Sequence, residues 1–238
     1  INQIARIVGA KLTVICLENL RPTADFTRAP AMTEDLFLKA IATGFNAIPQ
    51  ECDLLCLGEM GIGNTTSSSA VLAVILDTDV NSVTGRGGGI TDESFKKKKA
   101  VINQAISINQ PDKNDVMDVI SKVGGFDIAG MAGLYIGGAL LGIPSVVDGV
   151  IAQVAALVAV RLCPAVRGYL LFSHKSAEPA SKLLLAEMNA KPYIDAGMRL
   201  GEGTGAVAGI ALLDLGLAVY RGMPAFDDIE IDAYVPLN

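Results

Sequence analysis

Apolar positions along this chain fall into short continuous runs separated by longer stretches with helical spacing. Residues 11–17 (KLTVICL) form an apolar run rich in β-branched side chains, which predicts a strand buried on both faces. Thr33, followed by Glu34 and Asp35, caps and charges the start of a helix expected over 33–47. A second strand, 53–57, empties directly into the glycine-rich segment 58–64, and a helix over 66–76 follows. The spacing then predicts helices over 92–106, 113–123 and 126–141, a strand at 144–147, a helix at 149–162 and a strand at 168–172. The last third predicts a helix over 178–188, a strand near Arg199 and a final helix over 204–220. Strands alternating with helices predict an α/β fold with a mainly parallel sheet. No internal repeat of solenoid period is present.

Composition narrows this picture. Of the 238 residues, 51% are hydrophobic and 18% charged, enough apolar side chain for a substantial core. No Pro- or Ser-rich linker divides the chain, so residues 1–238 read as a single domain. The net charge of −6 excludes a dominant electrostatic footprint for nucleic acid. Cys16, Cys52, Cys56 and Cys163 are too few and scattered for a disulfide framework; they read as buried small hydrophobes in a cytoplasmic protein, with no metal site. The most apolar region, 124–172, contains GLYIG at 133–137, a small-xxx-small pattern that also serves membrane helices. Asp127, Pro144, Asp148, Arg161 and Pro164 interrupt it too often for a membrane span. The first residues, INQIAR, have neither an initiating Met nor an apolar signal core, which reads as a cut chain without a secretion signal.

Ligands of open α/β sheets bind beyond the carboxyl ends of the strands, so glycine loops that follow strands are where chemistry is expected. Three qualify. GEMGIGNTT at 58–66 enters a helix whose free N–H groups favour a phosphate or carboxylate. TGRGGG at 84–89 allows close backbone approach and supplies one fixed cation, and GEGTG at 201–205 carries a carboxylate between glycines. GTGAVA at 203–208 fits a dinucleotide fingerprint, yet too little chain follows for the second half of such a fold, and no P-loop motif is present. His174, the single histidine, lies near Ser176, but no nucleophile-elbow motif surrounds that serine; a capping or supporting histidine competes with a hydrolase pair. Four consecutive lysines, Lys96 to Lys99, cannot all face one way on a helix, so one or two at most can serve a site.

Taken in order, GEMGIGNTT (58–66), VTGRG (83–87), GGFDIA (124–129), VDG (147–149), SHKSAEP (173–179) and RLGEGTGA (199–206) closely resemble the conserved blocks of the nicotinate mononucleotide:dimethylbenzimidazole phosphoribosyltransferases, the CobT family. The resemblance runs from the first predicted strand to about Phe226. It implies a Rossmann-like large domain, with part of a small helical domain missing because family members extend further at the amino end. It also implies a homodimer, no cofactor and no metal, and transfer of phosphoribose from nicotinate mononucleotide to an aromatic lower-ligand base of a cobamide.

By that resemblance the catalytic base falls on Glu202, flanked by Leu200 and Gly201. Contacts to phosphate and ribose fall on Glu59, Gly61, Gly87, Lys98 and Ser176, with Asp148 a supporting polar residue. The chemistry is compatible: departure of the cationic pyridinium leaves oxocarbenium-like charge that Glu59 can stabilise, while Glu202, partly desolvated among glycines, gains affinity for the proton of the attacking benzimidazole. Gly88 and Thr91 depart from the family's usual Thr and Asp. Two alternatives stand beside this reading: a subunit of a heteromeric, phenol-activating relative, and a catalytically silent nucleotide-binding regulatory subunit.

Overall fold

Three short parallel strands, in the order β1 (Leu55–Cys56), β2 (Ser145–Val147), β3 (Leu170–Phe172), centre the computed structural model, which describes residues 1–232 and 235. Ser145 pairs with Leu55 on one side and Leu170 on the other, and Val147 pairs with Phe172. The middle strand is buried throughout, as an apolar strand covered on both faces should be. Around it lie α1 (Asn2–Val8), α2 (Glu34–Asn46), α3 (Asn64–Ile75), α4 (Val80–Val83), α5 (Asp92–Asn109), α6 (Val116–Val123), α7 (Phe126–Leu140), α8 (Val150–Leu162), α9 (Ala180–Glu187) and α10 (Thr204–Gly222). The architecture is the expected α/β arrangement of a parallel sheet flanked by helices.

The capped helices start where their side chains dictate. Thr33 Oγ1 accepts the Leu36 amide, Thr91 Oγ1 accepts that of Ser94, and Asp115 accepts those of Met117 and Asp118. This last cap delays α6 to Val116, three residues beyond its expected start. α3 is buried on nearly every side, held by α5, α6 and α8, which fixes the loop at its amino end to the core.

α7 packs on α2 through small residues. A Cβ on Gly133 would lie 2.9 Å from the Ile41 carbonyl carbon, and one on Gly44 would lie 2.8 Å from that of Gly130. The GLYIG segment therefore serves close helix contact inside a globule, using the geometry that makes it effective between membrane helices.

Three expectations are corrected. Residues 11–17 form no strand: with α1 ahead of them and no strand to pair with among the described residues, they run as irregular chain, and Leu12 and Val14 are exposed. The stretch near Arg199 is likewise not a strand; next to it a lone backbone bond runs from the Ala177 amide to the Met198 carbonyl. Cys16 is exposed rather than buried, whereas Cys52 and Cys163 pack against the core.

α10 lies outside the 124–172 region whose interruptions exclude a membrane span. Its length and mean hydropathy of 1.4 are sufficient for a crossing, and only 22% of that window is buried. Thr204, Gly205, Ala206, Val207 and Gly209 are buried near its start, whereas Leu212, Leu215, Leu217, Val219 and Tyr220 are exposed further along.

Candidate functional site

All three strands release their chain at the same edge, and the predicted residues collect there. β1 leads into Glu59 and Gly61, β2 into Asp148, and β3 into Ser173, His174 and Ser176. The turn at 201–203 arrives from the other end of the sequence. Its three residues all have positive φ (78°, 59° and 75°), a conformation glycine adopts freely and Glu202 adopts against its preference.

The first and last glycine turns meet backbone to backbone. A Cβ on Gly58 would fall within 2.5 Å of the Gly203 Cα. A Cβ on Gly201 would lie 2.9 Å from Glu59 Oε1, so the Glu59 carboxylate rests against the backbone of the last turn. Asn64 Nδ2, at the start of α3, donates to Glu59 and reaches Asp127 Oδ2 at 3.0 Å. Burial raises the Glu59 carboxyl above the usual range; the Asn64 hydrogen bond opposes this, and the Asp127 charge reinforces it. The Glu202 side chain is half-buried, 34% exposed. Gly61 fits closely here, a Cβ on it lying 3.2 Å from Asn64 Nδ2. Leu200 stands exposed on the lip of the turn, as do Met60 and Ile62 on the opposite loop.

A second group lies across the amino end of α3. Lys98 Nζ donates to Thr65 Oγ1 at 2.9 Å and to the Gly85 carbonyl at 3.0 Å. Burial lowers the affinity of its amine for a proton, and the Glu178 charge partly restores it. Glu178 Oε1 accepts the Gly87 amide at 3.1 Å, and the Glu178 amide donates to Ser176 Oγ at 3.3 Å. Gly87 and Ser176 are thus joined through Glu178, and Lys98 reaches the same turn through the Gly85 carbonyl. Beside them a cavity of about 420 Å³ is lined by Gly63, Thr65, Thr66, Arg86, Lys97 and Lys98, among others. Cations and the free N–H groups of a helix start, with no capping side chain at Gly63, make this an anion-binding environment.

Asp148 lies beneath the last turn. Its Oδ1 accepts the amides of Gly205 (2.7 Å) and Ala206 (3.0 Å), and its Oδ2 accepts that of Gly203 (3.1 Å). The carboxylate therefore closes the start of α10. His174 and Ser176 do not form a hydrolase pair. The histidine ring engages Ser173 and faces Asp148, while the Ser176 hydroxyl accepts from Glu178. Motif reading passed over Asn64, Asp127 and Glu178. Each lies within a quoted block, but its function depends on a contact distant in sequence.

A family model described as "Phosphoribosyltransferase" matches residues 1–231. The chain belongs to this phosphoribosyltransferase family. It is 44% identical over 218 residues to the nicotinate-nucleotide–dimethylbenzimidazole phosphoribosyltransferase of Acetivibrio thermocellus, covering 90% of this chain and 62% of that protein. It is 41% identical to the equally named protein of Roseiflexus sp., covering 99% of this chain and 72% of that one. Among solved structures, CobT from Thermus thermophilus matches with a TM-score of 0.87 at 29% identity, covering 97% of this chain and 74% of that chain. The chain spans 62% and 63% of the length of the Acetivibrio and Clostridium acetobutylicum relatives.

Proposed function

We propose that this protein transfers phosphoribose from nicotinate mononucleotide to dimethylbenzimidazole or a similar lower-ligand base, giving α-ribazole phosphate and nicotinate for cobamide assembly. The observation that carries this reading is the meeting of the Glu59 and Glu202 turns beside an anion site built on Lys98 and the start of α3.

In this reading the ribotide phosphate takes the cationic pocket, held by Lys98 and the Gly87 turn, with Ser176 alongside. The pyridinium and its anomeric carbon then lie toward Glu59 and Asp127. A bound cation favours the ionised form of Glu59, offsetting the burial that raises it. As the bond to nicotinate breaks, Glu59 stabilises the positive charge growing on the ribose. The base attacks the opposite face through one ring nitrogen, and Glu202 takes the proton from the other. Inversion gives the α-riboside. Leu200, Met60 and Ile62 supply apolar surface beside the acids, suited to an aromatic ring.

A homodimer is part of the same proposal, because the exposed outer half of α10 lacks apolar cover in a single chain. The unpaired cysteines suit a cytosolic location. The test is chromatography of the protein incubated with nicotinate mononucleotide and dimethylbenzimidazole. Stoichiometric appearance of nicotinate and α-ribazole phosphate is expected; nicotinate release that ignores the added base would point to hydrolysis instead.

A further inference from the structure

The structure assigns His174 as a positioning residue for Glu202, acting through Asp148 on the first turn of α10. This inference rests on the phosphoribosyl-transfer reading for its catalytic consequence and on geometry alone for its structural one.

His174 is buried, and its backbone is fixed on both sides of the chain: the Ser173 amide donates to Val147, and Ile194 pairs with the histidine as an isolated bridge. Its ring has little room. A Cβ on Gly205 would lie 2.8 Å from Asp148 Oδ1 and would overlap the imidazole, so the absence of a side chain there lets α10 settle on the ring.

The proton on the ring follows from its neighbours. Ser173 Oγ donates to the Val147 carbonyl at 2.7 Å, which leaves its oxygen to accept from His174 Nδ1 at 3.0 Å. Nδ1 therefore carries hydrogen, and that edge of the ring faces Asp148 Oδ1 at 3.9 Å. Asp148 is itself buried and holds the amides of Gly203, Gly205 and Ala206. With its N–H edge turned toward that carboxylate, the ring helps fix the carboxylate's orientation. The amides it holds follow directly on Glu202, whose positive φ persists only while its surroundings enforce it. Loss of the Nδ1 hydrogen should loosen the turn and displace the Glu202 carboxylate, with the ribotide grip at Lys98 left intact.

Two variants separate this from a packing role. H174F keeps an aromatic ring, somewhat larger than imidazole, without the N–H, and H174N keeps a donor near the Nδ1 position without the ring. For H174F, kcat should fall about 10- to 100-fold with KM for nicotinate mononucleotide within about 3-fold. H174N should recover to within about 5-fold of the unmodified protein. Unchanged kcat in H174F, a loss confined to KM, or H174N no better than H174F would overturn the assignment. Amide hydrogen exchange gives a readout independent of activity: in H174F the amides of Gly203, Gly205 and Ala206 should exchange about 10-fold faster while α7 is unaltered. Should the unmodified protein transfer no phosphoribose, the functional reading falls and exchange alone decides, with equal rates at those three amides refuting the assignment. If H174F does not fold, H174L takes its place in both measurements.

Discussion

Gly58 and Gly203 touch through their backbones, so that a methyl group on Gly58 would lie 2.5 Å from the Gly203 Cα. That contact joins a turn from the first quarter of the chain to one near its end, and through it the Glu59 carboxylate comes to lie against Gly201. A G58A variant must push the turns apart. It should lose about 1–3 kcal/mol of stability, the usual range for forcing carbon into a filled space, and its turnover should fall with it. Thermal unfolding and initial rates check this; an unshifted melting temperature would show that the turns are free to separate.

Glu59 should record its burial in the pH dependence of stability. Its folded pKa is raised first by desolvation, so the stabilising contribution of the bound proton is complete below the unfolded pKa and is lost as pH rises through the folded one. E59Q cannot ionise. Relative to E59Q, the unmodified protein should lose stability as pH climbs from about 4 toward neutrality, the region where an ordinary carboxyl has already ionised. Urea unfolding across that range measures the difference, and a gain in relative stability would refute the assigned burial. Turnover by E59Q should fall about 100-fold or more, because the Glu59 charge stabilises the positive charge that grows on the ribose.

Glu178 should tune the anion site through Lys98. Because the Glu178 charge supports the protonated amine against burial, E178Q should lower the Lys98 pKa further. The alkaline limb of kcat/KM for the ribotide should then move to lower pH, since the amine would lose its charge sooner. A limb that stays in place would separate Glu178 from Lys98. K98M should raise KM about 10-fold or more with a smaller effect on kcat, since the lost ion pair belongs to binding.

Much of this was legible in the sequence, for identifiable reasons. Glycine loops after apolar runs marked the sheet edge because parallel strands place their ligands there, and GEMGIGNTT, SHKSAEP and RLGEGTGA all lie at that edge. What failed was partner-dependent. Residues 11–17 have the side chains of a strand but no neighbour to complete one, and an apolar run carries no information about its partner. Glu202 sits among glycines in sequence, yet a glycine neighbour does not set exposure; the packing of Gly58, Gly201 and Asn64 around Glu59 does. Asp127 became visible only when α7 brought it 3.0 Å from an amide 63 residues away.

The central claim is that Glu202 removes the proton from the attacking base, and a pairing of two assays on E202Q tests it most directly. Turnover of nicotinate mononucleotide with dimethylbenzimidazole should drop about 100-fold or more, while calorimetric Kd for nicotinate mononucleotide stays within about 3-fold of the unmodified protein. Undiminished turnover in E202Q would contradict the account.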